Sequence, residues 1–342
     1  MKDLKWLLKL SVLSTLLGIT VLISLFTGAY SLSWTEIWAA IFGQEDQAKH
    51  FLLLHIRLPR ILLAALIGSG LAISGAAIQG LFRNPLADPS LIGVSSGAML
   101  FAVLSIVFMG TILIDFTAFF RQATVSIFAF IGGILTTYVV YLLSSQNGRT
   151  SVMTMLLAGI AIGAFGGAIT GIFIYLSDDQ QLRDITFWSM GSLAGANWTQ
   201  ISIVAPIILL GSFFLMTYSK ALNAILLGER EAGYLGIPVE QVKTRVIVFS
   251  ALIVGVCISM SGLIGFVGLV IPHLLRLVKG TDYRYLLRSS ALLGAIFLVL
   301  TDTLARTIIA PAELPIGILT AMVGAPFFLW LLIQSRQKTY LI

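Results

Sequence analysis

The chain has 342 residues, 58% of them hydrophobic and only 11% charged, with a mean hydropathy of +1.00. A soluble domain carries about 25% charged residues, so this composition excludes a string of soluble domains and points to one polytopic, all-α domain in a lipid bilayer. The net charge of +6 does not signal nucleic acid here, because its placement between apolar runs matters more than its sign, and a lone Cys257 excludes an intramolecular disulfide.

A crossing helix needs about 20 apolar residues. Leu4–Phe26 is the first such run; no small-residue cleavage site ends it and further spans follow, so it reads as a span rather than a removable signal. Tyr30–Phe42, with Trp34 and Trp38 at helical spacing, predicts an interfacial helix. Ile61–Phe82 predicts the second span. The elbow Arg83-Asn84-Pro85-Leu86-Ala87-Asp88-Pro89 then holds two prolines, which lack an N–H and push their preceding residues away from helical angles. Leu91–Ile114, Ala123–Leu143 and Val152–Leu176 predict the third to fifth spans. Asp178–Asn197 reads as a polar loop and Trp198–Tyr218 as the sixth span. Lys220–Arg245 is the most charged stretch and is expected in water. Ser289–Leu304 and Ile316–Ile333 are the last two spans.

Val246–Leu275 is too long for one crossing and short for two. Cytoplasmic loops carry the excess of Lys and Arg. With two crossings the chain has ten spans and both termini inside, and the only outside basic residues are Lys49, Arg57, Arg60, Arg121, Arg183 and Arg306. With one crossing Arg276, Lys279, Arg284, Arg288, Arg336 and Lys338 move outside and the bias vanishes. Two short or tilted crossings with a break near Ser259–Gly262 are therefore expected. Such a break is tolerable only where it is buried in protein or lines a cavity.

Gly159, Gly163, Gly167 and Gly171 recur every four residues, as do Gly68, Ala72, Ala76 and Gly80. Each set forms a smooth stripe against which another helix can pack closely. There is no G-x-x-x-x-G-K-[ST] phosphate loop and no H-E-x-x-H in the sequence. No catalytic residue, metal ligand or bound cofactor is expected. Ionisable residues are scarce within the spans, which disfavours a proton-coupled pump and points to energy supplied from outside the membrane. Leu222–Ile237 is a candidate for that contact: apolar Leu222, Ile225, Leu226 and Leu227 precede Gly228, and Ala232 and Leu235 precede Gly236, as in two short amphipathic helices broken by glycine.

Several motifs lie in one order along the chain. Arg57-x-Pro59-Arg60 leads to Ser74-Gly75-x-x-x-Gln79, the Arg83–Pro89 elbow and Gly93-x-x-x-Gly97-Ala98. Leu222-Asn223 leads to Leu227-Gly228-Glu229, Ala232 and Leu235-Gly236. Trp188-x-x-Gly191-Ser192-Leu193, Ser261-Gly262-x-Ile264-Gly265-Phe266-x-Gly268-Leu269 with Pro272-His273 and Arg276, and Glu313-Leu314-Pro315-Ile316-Gly317 complete the set. Over roughly residues 5–335 the chain resembles the FecCD family of ABC-importer permeases.

That resemblance implies a type II ABC importer permease fold in the bacterial cytoplasmic membrane. It implies a second permease subunit, self or paralogue, two ATP-binding subunits that carry ATP and Mg, and an extracytoplasmic binding protein. The implied cargo is a ferric siderophore, with haem and cobalamin as the other family substrates. Arg57, Arg60 and Arg306 would pair with glutamates of the binding protein. Leu226, Gly228, Glu229, Ala232, Leu235 and Gly236 would couple to the ATPase. Asn84, Leu86, Ser151 and Val152 would form the cytoplasmic gate, and Gly159, Gly163 and Gly167 would line the path at a subunit interface.

Overall fold

The computed structural model describes residues 2–28, 30, 32–41, 47–109 and 118–339. Helix α1 (Lys2–Phe26) is followed by α2 (Trp34–Ile41), where Trp34 and Trp38 stack with ring centroids 6.5 Å apart and remain exposed. Phe42 of the expected interfacial helix and residues 110–114 of the expected third span lie outside the described residues. The second span begins earlier than Ile61. Helix α3 (Gln47–Phe51), a π-helical turn at Leu52–Arg57 and α4 (Leu58–Leu81) form one 35-residue run. The π turn ends just before Pro59, whose missing N–H would break an α-helical ladder there.

Beyond the elbow come a 3-10 turn at Pro89–Ile92 and α5 (Val94–Leu104) with a π turn at Ser105–Met109. Helix α6 (Ala118–Ser144) joins α7 (Val152–Leu176) through a hairpin, β1 (Ser145–Gln146) against β2 (Arg149–Thr150), with Ser145 opposite Thr150. Asn147 and Gly148 both take positive φ at its tip, the pairing a two-residue hairpin favours. Asp178–Asn197 is not a loop throughout: it holds α8 (Asp179–Met190), started by a capping box in which Asp178 and Gln181 satisfy each other's backbone N–H. Helix α9 (Trp198–Thr217) leads to two short helices, α10 (Ser219–Ile225) and α11 (Glu229–Tyr234).

The region expected to hold two short crossings holds one long and one short helix. Helix α12 (Val239–Ser261) takes its first turns from the charged stretch expected in water, and α13 (Val267–Lys279) is the short one. The break falls at Gly262–Phe266, slightly later than expected. Helices α14 (Tyr283–Ala305) and α15 (Ile316–Thr339) complete the chain. Among the described residues seven runs are long and apolar enough to cross a membrane, and Val94–Phe108, Val267–Val278 and Ile316–Leu331 are shorter apolar helices.

Helix α4 forms the centre. Of its apolar window 78% is buried, against 17% for α7. Helices α9, α12, α13 and α14 surround it. Small residues let two of these approach to backbone contact: a Cβ on Gly68 would overlap the Gly294 carbonyl of α14, and one on Gly75 would overlap the Gly268 carbonyl of α13. Helix α7 packs its Gly159 against the Leu91 carbonyl, but Gly167 and Gly171 face open space.

This packing gives a direct contrast. Gly75→Ala must push α13 from α4 and should destabilise the solubilised protein by about 1–3 kcal/mol, as overpacked cores do. Gly171→Ala, with nothing near its Cβ, should stay within about 0.5 kcal/mol of wild type in the same thermal melt. Equal losses would refute the close-packing account.

Candidate docking, gate and coupling sites

Helix α4 ends beside the start of α14, where Gly80 lies against Tyr283, and α10 packs at the same end. The start of α4 and the end of α14 therefore meet at the opposite end, and there the three arginines come together. None is a free cation. Arg60 lies between two carboxylates: its Nε is 3.0 Å from Asp302 Oδ1, and its Nη1 is 2.8 Å from Glu313 Oε1. Arg306 Nη2 donates to the Ser24 carbonyl at 2.5 Å and the Ser24 hydroxyl at 2.7 Å, while its Nε faces Asp302 at 3.8 Å. Arg57 donates to the carbonyls of Leu25, at 2.6 Å, and Tyr30.

All three arginines are buried within the chain, as is Asp302, whereas the Glu313 side chain is 39% exposed. The cluster ties α1, α4, α14 and the segment before α15 into one corner. All three cations thus have partners within this chain, and Glu313 is the cluster's accessible carboxylate. Neither Asp302 nor Glu313 is marked as a partner by the sequence, because these ion pairs join residues 242 and 253 positions apart.

From Glu313 the chain runs directly to a junction of three motifs. Leu314 N–H bonds the Ala305 carbonyl at 2.9 Å and Ile316 N–H the Gly191 carbonyl at 3.1 Å, while Ser192 N–H bonds the Ser261 carbonyl at 2.8 Å. The C-terminus of α8, the break between α12 and α13 and the start of α15 thus satisfy one another's backbone groups. Gly262, at φ 70°, sits so close to the Trp188 carbonyl that no side chain fits.

At the other end, Asn84 shapes the elbow. Its Oδ1 accepts from Leu86 N–H at 2.9 Å, and its carbonyl accepts from Ala87 N–H at 3.1 Å, an Asx-type turn rather than a helix cap. Asn84 is exposed and Leu86 half-buried. Ser151 caps α7, with Thr154 N–H donating to its Oγ at 3.3 Å, and Val152 begins the helix half-buried. Gly159 and Gly163 approach the segment after the elbow at Leu91 and Ser96; Gly167 does not share that contact.

Helices α10 and α11 form the broken pair that the spacing predicted. Leu222, Ile225 and Ala232 are buried and Leu226 half-buried, while Leu227, Tyr234 and Leu235 are 70%, 90% and 64% exposed. Gly228, at φ 137°, and Gly236, at φ 81°, permit the turns that end each helix. Asn223 fixes α10 to the α13–α14 turn: its Nδ2 donates to Asp282 Oδ1 at 2.9 Å and its Oδ1 accepts from Tyr283 N–H at 2.9 Å. Burial would raise the Asp282 carboxyl, but bonds from Asn223 and Arg284 outweigh it and hold it below the usual carboxylate range. Glu229, first residue of α11, pairs with Lys243 at 2.6 Å. Sequence reading placed Lys243 in a solvated stretch; it is 2% exposed.

Among the described residues no group of three or more His, Cys, Asp or Glu could hold a metal ion. His273 meets the ring of Phe327 edge-on at 6.0 Å.

The family model described as the FecCD transport family matches residues 16–334. The chain is 45% identical to the hemin transport system permease protein HmuU of Yersinia pestis, over 97% of each chain. It is 42% identical to the cobalamin import system permease protein BtuC of Halobacterium salinarum, over 81% of this chain and 72% of that one. A solved structure described as a metal-chelate type ABC transporter, inward-facing, matches with TM-score 0.83 at 37% identity, over 95% of this chain and 98% of that one.

Removing one member of a buried ion pair leaves its partner uncompensated, a loss of about 3–5 kcal/mol. Asp302→Ala should therefore lower the melting temperature of the solubilised protein far more than Asp282→Ala, whose carboxylate pairs with the exposed Arg284. A small effect at Asp302 would mean that the arginine corner does not hold the helix ends together.

Proposed function

The chain belongs to the FecCD transport family and is a permease of the ABC-importer class in the cytoplasmic membrane, and we propose that it carries an iron(III)–siderophore complex inward by ATP-driven alternating access. In this reading ten helices cross the bilayer with both termini cytoplasmic, the three short apolar helices among them. Two ATP-binding subunits, carrying ATP and Mg, seat on α10 and α11. A second permease copy or paralogue packs on the sparsely covered α7. An extracytoplasmic binding protein docks at the arginine corner, with Arg57, Arg60 and Arg306 behind Glu313.

The observation that carries the reading is the surface of α10 and α11. Tyr234 at the end of α11, and Leu227 and Leu235 in the turns that follow α10 and α11, are exposed, while Leu222, Ile225 and Ala232 on these helices are buried. These helices lie between spans rather than within them, and an exposed apolar patch on such a segment marks an interaction site. The rest of the proposal follows the family: ATP hydrolysis moves α10 and α11, and rigid-body helix shifts open the path from one side to the other. The chain itself does no covalent chemistry. Haem is the second reading for the cargo, favoured by the 45% identity to a hemin permease.

The test is uptake in a strain lacking this gene under iron limitation, with labelled ferric hydroxamate, ferric catecholate, ferric citrate, haem and cobalamin offered separately. Loss of one ferric-siderophore uptake, restored by this chain but not by a Tyr234→Asp/Leu235→Asp variant, is the expected result. Loss of haem or cobalamin uptake alone would replace the siderophore assignment. Full restoration by the doubly substituted chain would refute the ATPase seat on α11.

A further inference from the structure

At the end of the molecule that carries α10 and α11, the Lys243 ammonium reaches oxygens on three separate elements. The Glu229 carboxylate that opens α11 lies at 2.6 Å, the Thr150 carbonyl of β2 at 2.9 Å, and the Glu240 carboxylate of its own helix at 3.1 Å. An ammonium has three protons to donate, and this geometry uses them all. Glu240 closes the circuit, accepting the Thr150 N–H at 2.8 Å through its other oxygen. Thr150 is thus gripped at both its N–H and its carbonyl. The next residue is Ser151, the cap of α7.

We propose that Lys243 is a positioning residue that links α11 to the first turn of α7, so that a displacement of α11 by a docked partner is delivered to the start of α7. The proposal rests on the reading of α10 and α11 as the ATPase seat. Two features make the link stiff at one end and productive at the other. An exposed ion pair is worth about 0–1 kcal/mol and exchanges readily with water. Lys243 is almost wholly buried, and a buried ammonium that leaves its partners faces a penalty of several kcal/mol, so α11 and β2 move together rather than part. Helix α7 buries only 17% of its apolar window, and a Cβ added at Gly167 or Gly171 would meet nothing within 4 Å, so little in this chain resists its movement.

The test needs no knowledge of the cargo. Cys257 is buried, so a Met153→Cys substitution in the first turn of α7, at a side chain 68% exposed, supplies this chain's reactive thiol. The complete transporter, with its ATP-binding subunits, is placed in vesicles, and labelling of this chain by a membrane-impermeant maleimide is timed at rest and after trapping with ADP and vanadate. Trapping should change the rate about fivefold or more, within the usual range of coupling between sites. With Lys243→Met the change should fall below about twofold, and with Lys243→Arg most of it should remain.

A residue that only held the fold together would lower the yield of complex and leave the ratio of rates unaltered in the molecules that assemble. An unaltered ratio in Lys243→Met therefore overturns the proposal. If Lys243→Met yields no complex, Glu240→Gln takes its place: it keeps the bond to Glu229 but loosens Thr150, an intermediate ratio is expected, and an unaltered one overturns the proposal equally. A complex unsubstituted at Lys243 whose labelling ignores trapping would remove the ATPase seat itself, and this link with it.

Discussion

Hydrocarbon supplies no hydrophobic drive between helices and no water for a stray backbone group. Close backbone approach is what remains, and α4 has more of it than any other helix. Its contacts with Gly294 and Gly268 bring α14 and α13 to distances that a single methyl group would prevent. Every other part of the architecture hangs on that centre. Its first turns hold the arginine corner, its last turn meets Tyr283, and the elbow that follows presents Leu91 to α7. Helices that lie mostly away from α4, such as α7 and, apart from its end at the arginine corner, α1, are correspondingly bare.

The same constraint explains why three motifs from distant parts of the sequence converge. The chain stops being helical after Met190, after Ser261 and before Ile316. Each stop frees backbone donors and acceptors in the interior. They satisfy one another, with Ser192 bonded to Ser261 and Ile316 to Gly191. A shift in any one of these segments must be shared by the others, so the end of α8, the α12–α13 break and the start of α15 form one mechanical unit.

Much of this was legible in the sequence. Apolar runs located most helices, the prolines fixed the elbow, and Gly228 and Gly236 marked the ends of α10 and α11. What escaped was polar sequence made structural by tertiary partners. Val239–Arg245 looked solvated because hydropathy averages cannot register that Lys243 is met by Glu229, Glu240 and a carbonyl from β2. Helix α8 was hidden by its charge, although the Asp178-x-x-Gln181 capping box was there to be read. Asn84 was correctly placed at the elbow, but its hydrogen bond to Leu86 N–H makes it a turn former.

The two charged clusters solve one problem at opposite ends of the molecule. A charge leaving water needs several good oxygen partners to offset its desolvation, and both clusters provide them by drawing on more than one element. Arg60 takes carboxylates from α14 and from the segment before α15; Lys243 takes oxygens from α11, α12 and β2. Each cluster keeps carboxylate at the surface, Glu313 at 39% in one and both Glu229 and Glu240 at 36% side-chain exposure in the other. That combination of a buried cation and a reachable anion joins the surface directly to the interior. Each buried cation thus connects a surface carboxylate with helices on its other side: α4 and α14 behind Glu313, β2 and α12 behind Glu229.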